Sequence, residues 1–110
     1  MTVEAPGQQQ TRFQKAQANP HRKVKAMSYL GQCYARRNMN DLAARTFETA
    51  LKEKVMWDDE KKELTYSLAT VFEKMGKRDE AKKQFEEIFG VDSSYRDVSK
   101  KMDEYYGGQG

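Results

Sequence analysis

The sequence has few of the residues that build cross-linked, sheet-rich or metal-binding proteins. It contains one cysteine, which excludes an internal disulfide framework. One histidine beside that single cysteine leaves too few soft ligands for a zinc site. There are two prolines, and three of the seven glycines fall within the last four residues, so few turn formers remain for a β-sandwich. The composition therefore favours helices.

No group of side chains has the pattern of a catalytic or cofactor site. His21 and Cys33 are twelve residues apart, and a nucleophilic pair would need both to converge with a third group. Asp58, Asp59, Glu60 and Glu63 form an acidic cluster that lacks the alternating ligands and central glycine of a calcium loop. The glycines of residues 107–110 follow no strand and open no helix, unlike a phosphate-binding loop. We predict a protein that is not an enzyme, with no catalytic residue, no metal and no cofactor.

The charge balance also limits the classes of partner. Twenty basic and 17 acidic residues give a net charge of +3, and the two signs are interleaved along the chain. Nucleic-acid binders usually concentrate basic residues on one face, so nucleic acid is disfavoured as a partner. No stretch approaches the roughly 20 apolar residues of a membrane span, and the first residues do not have the pattern of a secretory signal. We expect a cytoplasmic location and no membrane association.

Residues 27–50 carry the most informative pattern. Gly31 lies inside an apolar-periodic helical run, where glycine costs roughly 1 kcal/mol relative to alanine. A glycine at such a place indicates that another helix approaches too closely for a side chain. The spacing resembles that of the tetratricopeptide repeat, in which a bulky residue, Leu-Gly, Tyr, Ala and Phe follow one another at set intervals. The matching residues are Met27, Leu30, Gly31, Tyr34, Ala43 and Phe47, with Met27 where the pattern has Trp.

The same pattern occurs a second time, 38 residues further along. The equivalent residues are Leu68, Ala69, Phe72, Ala81 and Phe85. The usual period is about 34 residues. Because the spacing inside each copy is unchanged, the extra residues must lie between the second helix of the first repeat and the first helix of the next.

We therefore predict an all-α fold, an α-solenoid of two helical hairpins. Repeat 1 covers residues 20–53, with helices at about 20–37 and 41–53, and repeat 2 covers residues 54–90, with helices up to about 75 and at 78–89. Asn38 and Gly76 are predicted to end the first helices of the hairpins, and Asn40 and Asp58 or Asp59 to cap the helices that follow. The inner apolar stripes of the second helices include Leu42, Leu51 and Phe89.

The two ends of the chain complete the predicted array. Residues 1–8 are predicted to be a disordered lead. Residues 9–18, with Phe13 and Ala16 at the spacing of Phe47 and Ala50, are predicted to be the second helix of a truncated preceding repeat; the alternative is a helix without a partner. Residues 94–106 are predicted to form a capping helix that starts at a capping box of Ser94 and Asp97, and residues 107–110 a flexible tail.

The resemblance implies a functional surface. In tetratricopeptide proteins the first helices of successive repeats line a concave surface that binds peptides or proteins. Here that surface would comprise Lys25, Ser28, Gln32 and Arg36 in repeat 1, and Glu63, Tyr66, Thr70 and Glu73 in repeat 2. The alternative is that these residues are ordinary solvent-exposed surface.

The family's clamp for a terminal carboxylate, built from Lys and Asn, would need those residues where this chain has Ser28, Gln32, Tyr66 and Thr70. We therefore expect no clamp and no binding of chaperone tails. The predicted function is a non-enzymatic scaffold that binds a protein or peptide segment. The alternative is a structural terminal cap, or a self-associating module, of a longer array.

Overall fold

The computed structural model describes residues 20–107, and this part of the chain is all-α, without a strand. We number its helices α1 (Pro20–Arg36), α2 (Asn40–Lys52), α3 (Asp59–Lys74), α4 (Arg78–Val91) and α5 (Val98–Met102). α5 continues directly into a π-helical turn, Asp103–Gly107. The predicted segments 1–8 and 9–18 and the end of the predicted tail lie outside the described residues.

The helices form two hairpins with matching turns. Asn38 has φ +61° after α1, and Gly76, its equivalent 38 residues on, has φ +77° after α3. Next to each, the chain turns back with a backbone hydrogen bond of 2.9 Å, from Met39 N–H to the Tyr34 carbonyl and from Lys77 N–H to the Phe72 carbonyl. Both predicted helix ends are therefore confirmed, and both use the left-handed conformation that asparagine and glycine tolerate.

The close approach of α1 and α2 occurs at Gly31. The buried ring of Phe47 lies over this glycine, and a Cβ atom there would stand 2.5 Å from Phe47 Cε1. In the second hairpin the equivalent position is Ala69, which is completely buried. The prediction that a neighbouring helix excludes a side chain at residue 31 is confirmed.

α3 lies at the centre of the molecule, because it packs against both α2 and α4. Its apolar residues are buried against α2 on one side and against α4 on the other. The largest fully buried side chains of the whole core are Phe47, Phe85, Leu64, Leu68, Ile88, Val24 and Val98. This arrangement makes the two hairpins one continuous hydrophobic core.

Two residues that were predicted to face inward are exposed to solvent. Leu42 and Phe89 are each 39% exposed, so their assignment to the inner stripes was wrong. Leu30 is 43% exposed, whereas its equivalent Leu68 is only 2% exposed. Leu68 is more buried than Leu30 because α3 packs against the second helix of the preceding repeat, α2. Among the described residues, no helix of a preceding repeat packs against α1 in the same way.

The starts of the two repeats differ in how they are capped. The Asp58 carboxylate accepts a hydrogen bond of 2.9 Å from the Lys61 N–H and caps α3, as predicted. Asn40 does not cap α2: Met39 occupies the N-cap position, and Asn40 is the first residue of the helix. Within the described residues, the buried Asn40 Oδ1 accepts no hydrogen bond.

The C-terminal segment caps α4 through a shorter helix than predicted. Asp92, rather than Asp97, bonds to Ser94, accepting from its N–H at 3.1 Å and its hydroxyl at 2.8 Å. The capping box prediction was therefore wrong, and regular α-helix begins only at Val98. The apolar residues of this segment, Val98, Met102 and Tyr105, are nevertheless buried.

Candidate functional site

A surface groove runs between α1 and α3, the first helices of the two repeats. It is an open depression of about 570 Å³, and its lining includes every predicted residue of α1. The lining residues are Lys25, Ser28, Tyr29, Gln32, Arg36, Asp59, Glu60 and Glu63. Residues that are 23 to 38 positions apart in the sequence thus form the two walls of one groove.

A second depression of about 250 Å³ extends the groove further along α3. It shares Gln32 and Glu63 with the first, so the two are continuous. It adds Tyr66 and Thr70, together with Ser67, Lys74 and Arg96. Seven of the eight predicted site residues therefore line one continuous surface, which we call the α1–α3 groove.

A hydrogen bond joins the two walls of the groove. Gln32 Nε2 donates to Ser67 Oγ at 3.0 Å, and the bond is partly buried. Thr70 Oγ1 donates to the Tyr66 carbonyl at 3.0 Å, so its hydroxyl can offer a ligand only an acceptor. The bond from Gln32 to Ser67 therefore links α1 directly to α3 across the groove.

Tyr66 lies where the groove meets the C-terminal segment. Its hydroxyl donates to Asp97 Oδ1 at 2.5 Å, and the Arg96 guanidinium lies 5.2 Å from the centre of its ring. Burial, followed by this hydrogen bond to Asp97, raises the pKa of Tyr66 to about 12. The side chain is therefore a neutral, fixed part of the groove wall at physiological pH.

Glu73 does not line the groove. Its carboxylate accepts a hydrogen bond of 2.7 Å from the Tyr105 hydroxyl and another of 3.1 Å from Lys101 Nζ. Burial, followed by the bond to Glu73, raises the pKa of Tyr105 to about 12. Glu73 thus holds the C-terminal segment against α3, and the structure does not bring it together with the other seven residues.

The carboxylates of the groove all have cationic neighbours within the protein. Lys54 Nζ lies 3.0 Å from Glu60, Arg96 lies 3.6 Å from Glu63, and Lys62 Nζ lies 3.8 Å from Asp59. The hydrogen bond to Asp58, followed by the one to Glu60, raises the pKa of Lys54. The acidic side of the groove is therefore largely balanced by the protein's own cations.

Tyr29 and Arg96 were not among the predicted residues. Tyr29 is 69% exposed and lies four residues after Lys25, on the same helical stripe, so helical spacing could have identified it. Arg96 comes from the irregular segment between α4 and α5, where no spacing rule places a side chain. It reaches the groove only because the C-terminal segment folds back against α3.

The described residues contain no group of three or more His, Cys, Asp and Glu side chains placed to hold a metal ion. Between residues 20 and 107, no helix is long and apolar enough to cross a membrane. For contact with another molecule the groove presents the hydrogen-bonding groups and charges of its lining and the exposed ring of Tyr29.

Two stacked helical hairpins with a groove between their first helices define a helical-repeat protein of the solenoid class. The chain belongs to the tetratricopeptide repeat family, whose model matches residues 25–53 and 64–89. Comparison with curated proteins and with solved structures found no match. Tetratricopeptide repeats generally mediate protein–protein interactions, and proteins built from them are typically non-enzymatic scaffolds.

Proposed function

We propose that this protein is a non-enzymatic interaction scaffold that binds an extended peptide or protein segment in the α1–α3 groove. The observation that carries the proposal is the continuity of the groove across both repeats. Its two depressions share Gln32 and Glu63, so one bound segment can contact α1 and α3 together.

The chemistry of the lining suits a peptide more than a small apolar ligand. Ser28 and Gln32 offer hydrogen bonds that an extended backbone can use, and Tyr29 presents an exposed ring against which a side chain can pack. An open, polar groove buries too little of a small molecule to bind it tightly. A longer segment gains affinity from many contacts along the groove.

Selection from a library of random displayed peptides tests this proposal. Peptides are selected on the wild-type protein and counter-selected on Ser28→Trp, in which an indole fills the groove. Thr49→Trp is the matched control, because Thr49 is exposed on α2 and does not line the groove. We expect sequences that bind the wild type and Thr49→Trp but not Ser28→Trp. Equal enrichment on all three proteins would contradict the proposal.

The second candidate function is a structural terminus or self-associating module of a longer array. The burial of Val98 and Met102 against the last hairpin favours it, because terminal repeats need such a cover. Sedimentation velocity over a range of concentrations tests self-association, and a strict monomer throughout would exclude it.

A further inference from the structure

We infer that the α1–α3 groove selects partner segments that carry acidic side chains, which Lys25, Arg36 and Lys74 bind. This inference rests on the proposed function, because it names the chemistry of the segment that the groove takes up. The inference is based on the ion pairs of the groove: its carboxylates are paired within the protein, whereas three of its basic residues are not.

The acidic residues of the groove are paired. Glu60 has Lys54 at 3.0 Å and Glu63 has Arg96 at 3.6 Å. Asp59 is fully exposed and has the weakest pairing, with Lys62 at 3.8 Å. A cationic partner would have to compete with lysine and arginine side chains that are already in place.

Three basic residues of the groove are not paired. Among the described residues, no carboxylate lies within 4.0 Å of the charged group of Lys25, Arg36 or Lys74. Arg36 and Lys74 are equivalent residues, 38 apart, in the last turns of α1 and α3. The groove therefore has unpaired positive charge on both walls.

Helix stability accounts for only part of this arrangement. Cations in the last turn of a helix interact favourably with the helix dipole, and this interaction alone explains why Arg36 and Lys74 are basic. That reason does not apply to Lys25, which lies in the N-terminal half of α1. α1 contains no acidic residue, so no side chain of its own helix offsets the charge of Lys25. A partner carboxylate would supply the missing charge.

The spacing of the cations predicts the spacing of the acids. Lys25 and Arg36 are 11 residues apart on one helix, or about 16 Å at roughly 1.5 Å per residue. An extended chain advances about 3.3 Å per residue, so about five residues cover that distance. We expect the partner segment to place acidic residues about five positions apart, with uncharged residues beside Tyr29 and Gln32.

A peptide fits the groove better than a nucleic acid does. The groove carboxylates Asp59, Glu60 and Glu63 lie in the same groove as the unpaired cations, and Asp59, which is fully exposed and only weakly paired, would repel a continuous run of phosphates. An acidic peptide can place uncharged residues opposite these carboxylates. We therefore expect an acidic peptide, and not a nucleic acid, to occupy the groove.

The displayed-peptide library also tests this inference. Groove-dependent sequences should be enriched in Asp and Glu at a spacing of about five residues. Enrichment of groove-dependent sequences that are neutral or basic would overturn the acidic preference and leave the groove function standing. Absence of any groove-dependent sequence would remove both.

A direct measurement follows with one enriched synthetic peptide and its analogue in which Glu and Asp are replaced by Gln and Asn. We expect the analogue to bind about tenfold more weakly by fluorescence anisotropy, because charge-assisted hydrogen bonds are replaced by neutral ones. Equal affinities of the two peptides would overturn the inference. Displacement of the acidic peptide by a short unstructured RNA at equal concentration would indicate a general polyanion site instead.

Two double variants of the protein distinguish the effect of the groove cations on peptide binding from the effect of the net charge. Arg36→Glu with Lys74→Glu should abolish binding of the acidic peptide. Arg45→Glu with Lys83→Glu is the control, because both residues are exposed on second helices and neither lines the groove. Each double variant changes the net charge from +3 by −4, to −1. Equal loss of binding in the two variants would assign the effect to net charge and contradict the inference.

Discussion

At the scale of single residues, Gly31 and Phe47 determine how the first hairpin closes. The Phe47 ring is completely buried and occupies the space that a side chain at residue 31 would need. Gly90 offers a useful contrast, since a Cβ atom added there meets nothing within 4 Å although it also lies in a helix. Alanine substitutions at these two glycines therefore distinguish the effect of packing on stability from the effect of helix propensity.

Gly31→Ala should destabilise the protein. The added Cβ would lie 2.5 Å from Phe47 Cε1, and the buried ring cannot move without disturbing the core. We expect the overpacking cost of about 1–3 kcal/mol to exceed the gain of about 1 kcal/mol in helix propensity. Urea denaturation measures the free energy of unfolding. Gly90→Ala should raise that free energy, and a rise in both variants would contradict the close contact.

Phe85 is the equivalent of Phe47 in the second repeat and is also completely buried. Its ring lies 5.5 Å from that of Tyr66 and 6.0 Å from that of Tyr105, so it joins the groove wall to the C-terminal segment.

Phe85→Ala should lower the free energy of unfolding by about 3–5 kcal/mol, because it leaves a cavity in the core. Phe89→Ala, at a position that is 39% exposed, should have a much smaller effect in the same denaturation assay. Similar losses in the two variants would show that the ring of Phe85 is not packed as described.

At the scale of elements, the C-terminal segment is held to α3 by two tyrosine hydroxyls. The Tyr66 hydroxyl of α3 donates to Asp97, and the Tyr105 hydroxyl of the π-helical turn donates to Glu73. Both bonds need a protonated phenol. The attachment of this segment is therefore sensitive to alkaline pH.

The free energy of unfolding should fall as the pH rises from about 10 to about 12. The ordinary pKa of 10.0 rises to about 12 for Tyr66 and for Tyr105 in the folded protein. The unfolded chain loses these protons first, so the stabilisation is complete below pH 10 and is lost as the pH passes through the folded-state pKa values.

Urea denaturation at a series of pH values measures this dependence in the wild type and in a variant with Tyr66→Phe and Tyr105→Phe. The lysines with raised pKa values, Lys54 and Lys62, are present in both proteins and contribute equally. The variant should show a shallower fall over this range. Identical slopes would exclude the two phenols as the cause.

At the scale of the whole molecule, the two ends of the solenoid differ. The C-terminal end is covered, because α5 packs against α4 and buries Val98. At the other end Leu30 is 43% exposed, although the equivalent Leu68 is 2% exposed. The predicted helix at residues 9–18 precedes α1 directly and carries Phe13 34 residues before Phe47, at the usual repeat distance.

We expect residues 9–18 to cover Leu30 in the way that α2 covers α3. Phe13→Asp should then lower the free energy of unfolding by about 1.5–3 kcal/mol, the value of burying one large apolar side chain. Hydrogen exchange of the α1 amides should also become faster. Gln14→Asp is the control for the added charge. An unchanged stability for Phe13→Asp would contradict this expectation.

Much of the fold could be predicted from particular residues. The paired spacing of Gly31 and Phe47 in the first repeat, and of Ala69 and Phe85 in the second, predicted the two hairpins, because buried small and aromatic residues recur where helices pack. Asn38 and Gly76 identified the turns, because few residues adopt a positive φ. The capping box at Ser94 was wrong because Asp92, just before it, offers the same acceptor chemistry.

Short-range spacing and backbone conformation are enough to predict the repeat register, the ends of the first helices of both hairpins and the family. Three-dimensional packing determines which exposed residues share the α1–α3 groove and which of its charges remain unpaired. Glu73 and Glu63 carry the same charge and lie on the same helix, yet Glu73 binds the Tyr105 hydroxyl whereas Glu63 lines the groove. Pairing depends on side chains about thirty residues away, such as Lys101 and Arg96, and local periodicity carries no information about them.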